Sequence, residues 1–235
     1  MLLAIDTATR VLSLALHDGE QVRAETTWIT KNQHTTELMP AIRQLLDRSQ
    51  VDMTDLTILA VSQGPGSFNG LRIGISAAKG LAMARNLPLL AIPTLDVIAA
   101  AQPGPLAAQD GTLIAVVQAG RGRVCAGRYQ WRTGRWVSQD DVKIVSWHTV
   151  VEVVEDAQVN GSETVISGEI DAEGRAAISQ QTSLRLASPA FCLRRAGFLA
   201  ELAWERWRAA DRDPQLGDAA AVAPIYLHQP GVPHA

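Results

Sequence analysis

No stretch of this chain approaches the ~20 consecutive apolar residues that crossing a bilayer requires, and its opening residues carry no basic segment ahead of an apolar core. Neither a membrane span nor an export signal is therefore expected. Cysteine is scarce: Cys125 and Cys192 are the two in the sequence, far apart and not at metal-binding spacing. Both are expected to be reduced structural thiols in a cytoplasmic protein. Positive charge is not in excess either, since 21 Lys and Arg face 24 Asp and Glu, leaving a net charge of −3. That balance argues against a free-standing nucleic-acid binder and leaves any RNA contact to be shared with a partner.

Recognisable catalytic groupings are missing as well. His17, His34, His148, His228 and His234 are scattered along the sequence with no co-ligand at metal spacing. No Gly-x-Ser-x-Gly elbow and no Cys/His pairing marks a covalent nucleophile. What the chain does have is 235 residues, 47% of them hydrophobic, enough to bury one large core or two small ones.

The pattern of apolar residues predicts three strands first, at 1–8, 10–18 and 21–28, the last entered through the turn Asp18-Gly19. A helix is expected over 35–49, where Leu38, Ile42, Leu45 and Leu46 recur at helical spacing, with Thr35 or Thr36 as cap and Pro40 tolerated near its start. Strand 56–62, helix 68–86, strand 89–92 and a helix from Thr94 to Ala101 follow. Three antiparallel strands followed by alternating helices and strands resemble one ribonuclease-H-like half of the actin and sugar-kinase (ASKHA) architecture. A Pro/Gly-rich linker at 102–111 then leads to strands at 112–119 and 122–131, a helix at 146–156 capped by Ser146, and a strand at 163–167. A short helix near 172–180 and a strand near 183–187 come next, then one long helix from Pro189 to about Ala210. The expected fold is thus α/β and two-lobed, with mixed sheets flanked by helices. Residues 1–104 form a partner-binding lobe and 105–227 a second, whose last helix can pack back on the first. A frayed tail occupies 228–235.

Ser62-Gln63-Gly64-Pro65-Gly66-Ser67-Phe68-Asn69-Gly70-Leu71-Arg72-Ile73-Gly74 is the most informative segment. It reads as strand, tight turn and helix start, with Ser67 placed to cap and free N–H groups behind it suited to an anion. It lacks the Lys-Ser/Thr of a phosphate-gripping loop and does not fit the dinucleotide fingerprint. Gly70, Gly74, Ala77, Ala78 and Leu81 line one side of the helix. Each interior glycine costs a helix roughly 1 kcal/mol, so a second backbone should lie close, either the chain's own sheet or a partner. Asp6-Thr7-Ala8-Thr9 stands where an actin-like kinase would place its first phosphate loop, without glycine or lysine. Val117-Gln118-Ala119-Gly120-Arg121-Gly122 stands at the second, and an amide there is a poor base and a poor metal ligand. Phosphoryl transfer is not expected. Arg121, Arg123 and Arg128 group near the second hairpin. Arg194, Arg195, Arg206 and Arg208 lie along the last helix, where Glu201 and Glu205 can pair with Arg206 or Arg208. A solvated face and a phosphate contact both remain open for them. Trp131, Trp136 and Trp147 read as core.

The motif S-x-G-P-G-S-F-x-G-L-R-I-G resembles that of the TsaB (YeaZ) family of tRNA threonylcarbamoyladenosine biosynthesis proteins, with Asn69 where the family has threonine. Leu3-Ala4-Ile5-Asp6-Thr7-Ala8-Thr9 and Pro224-Ile225-Tyr226-Leu227 are similar to family landmarks, and Gln118 departs from an aspartate that the family tends to keep. The resemblance implies a non-catalytic subunit that binds the catalytic TsaD protein and works with the ATPase TsaE. It implies no cofactor of its own, with ATP and metal on the partners. It also implies tRNA contact through the assembly, and a homodimer when the chain is isolated. TsaD proteins hold metal with two histidines four apart on a helix; here His34 stands alone, with Leu38 at the matching place, and is expected to be solvated or at an interface. The expected partner surface comprises His34, Leu38, Ile42, Gly70, Arg72, Gly74, Ala77 and Ala78. A divergent nucleotide-binding kinase and a metallopeptidase are the competing readings.

Overall fold

A computed structural model describes residues 1–31, 33–105, 111–157 and 164–227, and these form two compact units. The first comprises Met1–Val97 and Arg194–Ile225, the second Ile98–Leu193 and Tyr226. The boundary thus follows Val97, where the sequence suggested 104. The tail 228–235 with His228 and His234, and the middle of the expected linker, lie outside the described residues.

In the first unit β1 (Leu2–Asp6), β2 (Val11–His17) and β3 (Val22–Ile29) pair antiparallel, while β4 (Ile58–Gly64) and β5 (Leu89–Pro93) add parallel on the other side of β1. The order is β3-β2-β1-β4-β5. Helices α1 (His34–Ser49) and α2 (Phe68–Arg85) connect them, and α3 (Thr94–Ala100) follows. All five residues of β1 are buried because alternate side chains feed two cores. Leu3 and Ile5 join Leu38, Ile42, Leu71 and Ile75 under α1 and α2. Leu2 and Ala4 face Ala196, Leu199, Ala200 and Ala203 from the last helix of the chain. Small residues on that helix let its axis lie close to the sheet.

The second unit has β6 (Thr112–Gly120), β7 (Arg123–Arg132), β8 (Arg135–Ser138), β9 (Lys143–Ser146), β10 (Thr164–Gly168) and β11 (Leu184–Leu186). They run in the order β11-β10-β6-β7-β8, with β9 also on β7. Its helices are α4 (Trp147–Ala157), α5 (Ala172–Ser179) and α6 (Pro189–Cys192). Trp147, 1% exposed, anchors the core with Val116, Val124, Ile166 and Ile178, and Ser146 Oγ accepts the Thr149 N–H as the expected cap. Strands β8 and β9 were not expected, for they are short and half polar.

The long helix expected from Pro189 is two helices, α6 and α7 (Ala196–Ala209). The chain leaves helical geometry at Leu193–Arg195, and Arg194 is thereby carried to a buried partner. A further difference is at α1, which starts at His34 with Gln33 before it rather than at a threonine cap.

Candidate functional site

Strand β1 ends on Asp6, which is fully buried, and the following turn folds back on it: Asp6 Oδ1 accepts the Ala8 N–H at 3.0 Å. Its other oxygen takes Arg194 Nε at 2.6 Å, and the same guanidinium donates to Thr9 Oγ1 at 3.0 Å. Arg194 is only 2% exposed. His34 Nε2 lies 2.9 Å from the Thr9 carbonyl, so this histidine is buried and structural, contrary to the expectation of a solvated or interface group. Both oxygens of the carboxylate that a kinase would turn toward a metal or a nucleotide are engaged within the fold. Leaving either partner of such a pair alone would strand a buried charge.

The glycines of the motif are explained by the same turn. A Cβ on Gly66 would fall on the Ala8 carbonyl, one on Gly70 on the Thr7 carbonyl, and one on Gly74 on Thr7 Oγ1. Thr7 Oγ1 donates to the Gly70 carbonyl at 2.7 Å, and Ser67 N–H to the Ala8 carbonyl at 2.6 Å. Ser67 caps α2 by accepting the Gly70 N–H. The close backbone inferred from the glycines is therefore the chain's own, and the start of α2 is packed against the turn after β1.

At the second strand end Gln118 is half-buried. Its backbone N–H donates to Glu169 Oε2, and its side-chain amide to the Glu169 carbonyl and to Asp171 Oδ2, at 3.0–3.2 Å. Asp171 Oδ1 caps α5 through the Gly174 N–H. Among the described residues no group of three His, Cys, Asp or Glu side chains is placed to hold a metal. Burial pushes the Cys125 thiol up to about 11, which keeps it protonated and unreactive at neutral pH.

The expected partner surface is corrected by burial. His34, Leu38, Ile42, Gly70, Gly74 and Ala78 face inward; Ala77 is half-buried and Arg72 exposed, its guanidinium 3.6 Å from the Phe68 ring centroid. Helical spacing alone cannot say which side of α2 carries the sheet, because small residues occur all round it. The outward stripe is Arg72, Ser76, Gly80 and Met83, beside Ile73 and Ala77. A Cβ on Gly80 would meet nothing within 4 Å. The basic residues of the last helix are mostly spoken for: Arg195 pairs with Glu25 and Arg206 with Asp96. Glu201 meets His17 rather than an arginine of its own helix.

Comparison with known proteins agrees with this geometry. Residues 26–192 match the family described as TsaD, tRNA N6-adenosine threonylcarbamoyltransferase. The tRNA threonylcarbamoyladenosine biosynthesis protein TsaB of Bacillus subtilis (strain 168) is 34% identical over 62% of this chain and 63% of its own length. The protein of the same name from Escherichia coli (strain K12) is 34% identical over 64% of each. The chain thus spans a little under two thirds of these curated relatives. In structure, YeaZ from Pseudomonas aeruginosa superposes with a TM-score of 0.77 at 26% identity, covering 96% of this chain and 99% of that one. An ATP-glucomannokinase from Arthrobacter, 12% identical with a TM-score of 0.50 over 87% of this chain and 98% of its own, shares the actin-like fold alone. No described helix is long and apolar enough to cross a membrane.

Proposed function

The chain belongs to the TsaB (YeaZ) family, and we propose that it is a non-catalytic subunit of the assembly that puts threonylcarbamoyl on tRNA. In this reading the assembly modifies the adenosine beside the anticodon in tRNAs reading A-starting codons. The chain binds and stabilises the catalytic subunit TsaD; ATP and metal reside on TsaD and on TsaE, and tRNA is held by the complex. The observation that carries the reading is Asp6, fully buried and locked to Arg194 and to the Ala8 N–H. The carboxylate that nucleotide chemistry would need serves the fold instead.

The partner docks on the outward stripe of α2, Arg72, Ser76, Gly80 and Met83, while the inward residues of α1 and α2 support it from beneath. Gly80 supports this, because a mid-helix glycine in open space costs roughly 1 kcal/mol with no return inside the chain. A homodimer in the absence of TsaD would use the same stripe.

The test is transfer of labelled threonine and bicarbonate to unmodified tRNA by purified TsaC, TsaD and TsaE with ATP, with and without this chain. Modification only in its presence is the expected result; equal modification without it overturns the subunit reading. Binding of ATP with magnesium by the lone chain would favour the kinase alternative. Gly80→Arg should abolish co-purification with TsaD while leaving the fold intact, and retained co-purification would remove the α2 stripe as the docking face.

A further inference from the structure

One edge of β7 is shared by two short strands. β9 pairs with it over Arg123–Ala126 and β8 over Tyr129–Arg132. Neither strand reaches Gly127 or Arg128, where Gln139, just past β8, donates its N–H to the Arg128 carbonyl at 2.9 Å. The gap leaves a pit of about 90 Å³ within the second unit. Its apolar lining is Ile114 of β6, Ala126 of β7, Val145 of β9 and Val150 of α4, all packed into the core around Trp147. A dry cavity of about 150 Å³ takes benzene, so this smaller one suits a group of three or four carbons.

The rim of the pit is polar, and part of it is already engaged. Arg128 and Asp140 pair at 2.7 Å, and Thr149 Oγ1 lies 3.1 Å from Ser146 Oγ. Asp141 and Lys143 differ from these. Both are exposed and both line the pit, yet neither side chain has a hydrogen-bond or ion-pair partner among the described residues. They stand two apart where the chain enters β9. Extended residues at that spacing project to one side, with about 7 Å between them. One uncommitted carboxylate and one uncommitted ammonium thus flank an apolar hole, and a few polar groups converging on an apolar cavity is the usual form of a small-ligand site.

We propose that this pit binds a short branched aliphatic α-amino acid. The side chain fills the hole between Ala126 and Val150, the ligand's ammonium pairs with Asp141, and its carboxylate pairs with Lys143. Either charge alone is worth little at an exposed rim; the two together orient the ligand while burial of its side chain supplies the attraction. The site needs no partner chain and no nucleotide, so its test stands apart from the subunit reading.

The experiment is a heteronuclear NMR titration of the full chain with L-valine. A Kd on the order of 1 mM is expected, with shifts centred on Ala126, Arg128, Asp141, Lys143 and Val150. Isobutylamine, isovalerate and glycine each lack one of the three recognised features and should bind about fivefold more weakly or worse. Asp141→Asn and Lys143→Gln, exposed changes that leave the core untouched, should each weaken valine binding by about the same fivefold. Ala126→Leu should fill the pit and abolish binding, and the two charge variants decide the matter if that variant fails to fold. No shifts with valine up to about 20 mM overturn the proposal. So does equal affinity for the two compounds that lack a charge, or unchanged valine affinity in both charge variants.

Discussion

The turns after β1 and after β6 stand at matching places in their sheets, yet they dispose of charge in opposite ways. The first keeps its acid, Asp6, and buries an arginine from 188 residues further along the chain to neutralise it. The second carries Gln118, whose amide bridges the Glu169 carbonyl and Asp171 at a half-exposed strand end. Two strand ends at matching places in their sheets thus settle their polar groups by different means. One strand end is a structural lock, the other a hydrogen-bond junction through a neutral amide.

Breaking the lock should have the largest effect. Arg194→Met leaves the Asp6 carboxylate buried without its cation and is expected to cost about 3–5 kcal/mol in urea unfolding. Adding Asp6→Asn should recover part of that loss, and additive costs would show that the two residues do not act as a pair. Next come the glycines that seat α2 on the same turn. Gly70→Ala puts a methyl on the Thr7 carbonyl and should cost about 1–3 kcal/mol. Gly80→Ala, in open space, should instead stabilise the isolated chain by up to ~1 kcal/mol. Thermal melts of the two variants should move in opposite directions.

The second strand end should respond less. Gln118→Asp sets a like charge beside Asp171 and near Glu169, for a loss of about 1 kcal/mol at neutral pH, limited by solvent screening at a half-exposed site. The new carboxyl would have its folded pKa raised above the unfolded value, so it destabilises at neutral pH and the loss shrinks as pH falls through that folded pKa. A loss that persisted at pH 3 would make the effect steric. The smallest change expected is at the turn between β7 and β8, where Thr133 has a left-handed φ of 47°: Thr133→Asn should stabilise the second unit by up to ~1 kcal/mol. Hydrogen exchange in β7 and β8 would detect it.

Much of the fold was legible. The three leading strands, α1, β4, α2 and β5 follow from apolar periodicity and from turn residues, because each element buries one well-marked face. The break at Leu193–Arg195 was not, since no proline interrupts the stretch from Ala190 to Ala210 and the reason to leave the helix lies on β1. The candidate surface was half legible. The glycines announced a close approach, but the partner in that approach, Thr7, is more than 60 residues away in sequence, and small residues on every side of α2 conceal which side faces in. A signal did exist at Gly80, the one glycine of α2 off the Gly70–Gly74 line.

By itself the sequence determined the order of elements through the first sheet, the capped start of α2 at Ser67, and the absence of a glycine-lysine phosphate loop. These are local properties, fixed by propensity and by spacing within one turn or one strand. Only the tertiary structure decided that Asp6 is locked by Arg194, that His34 is buried on Thr9, and that Gly70 and Gly74 serve the chain's own sheet. Those outcomes depend on which distant groups meet in a low-dielectric interior, where an unpaired charge or a misplaced methyl is costly, and no local pattern encodes that meeting.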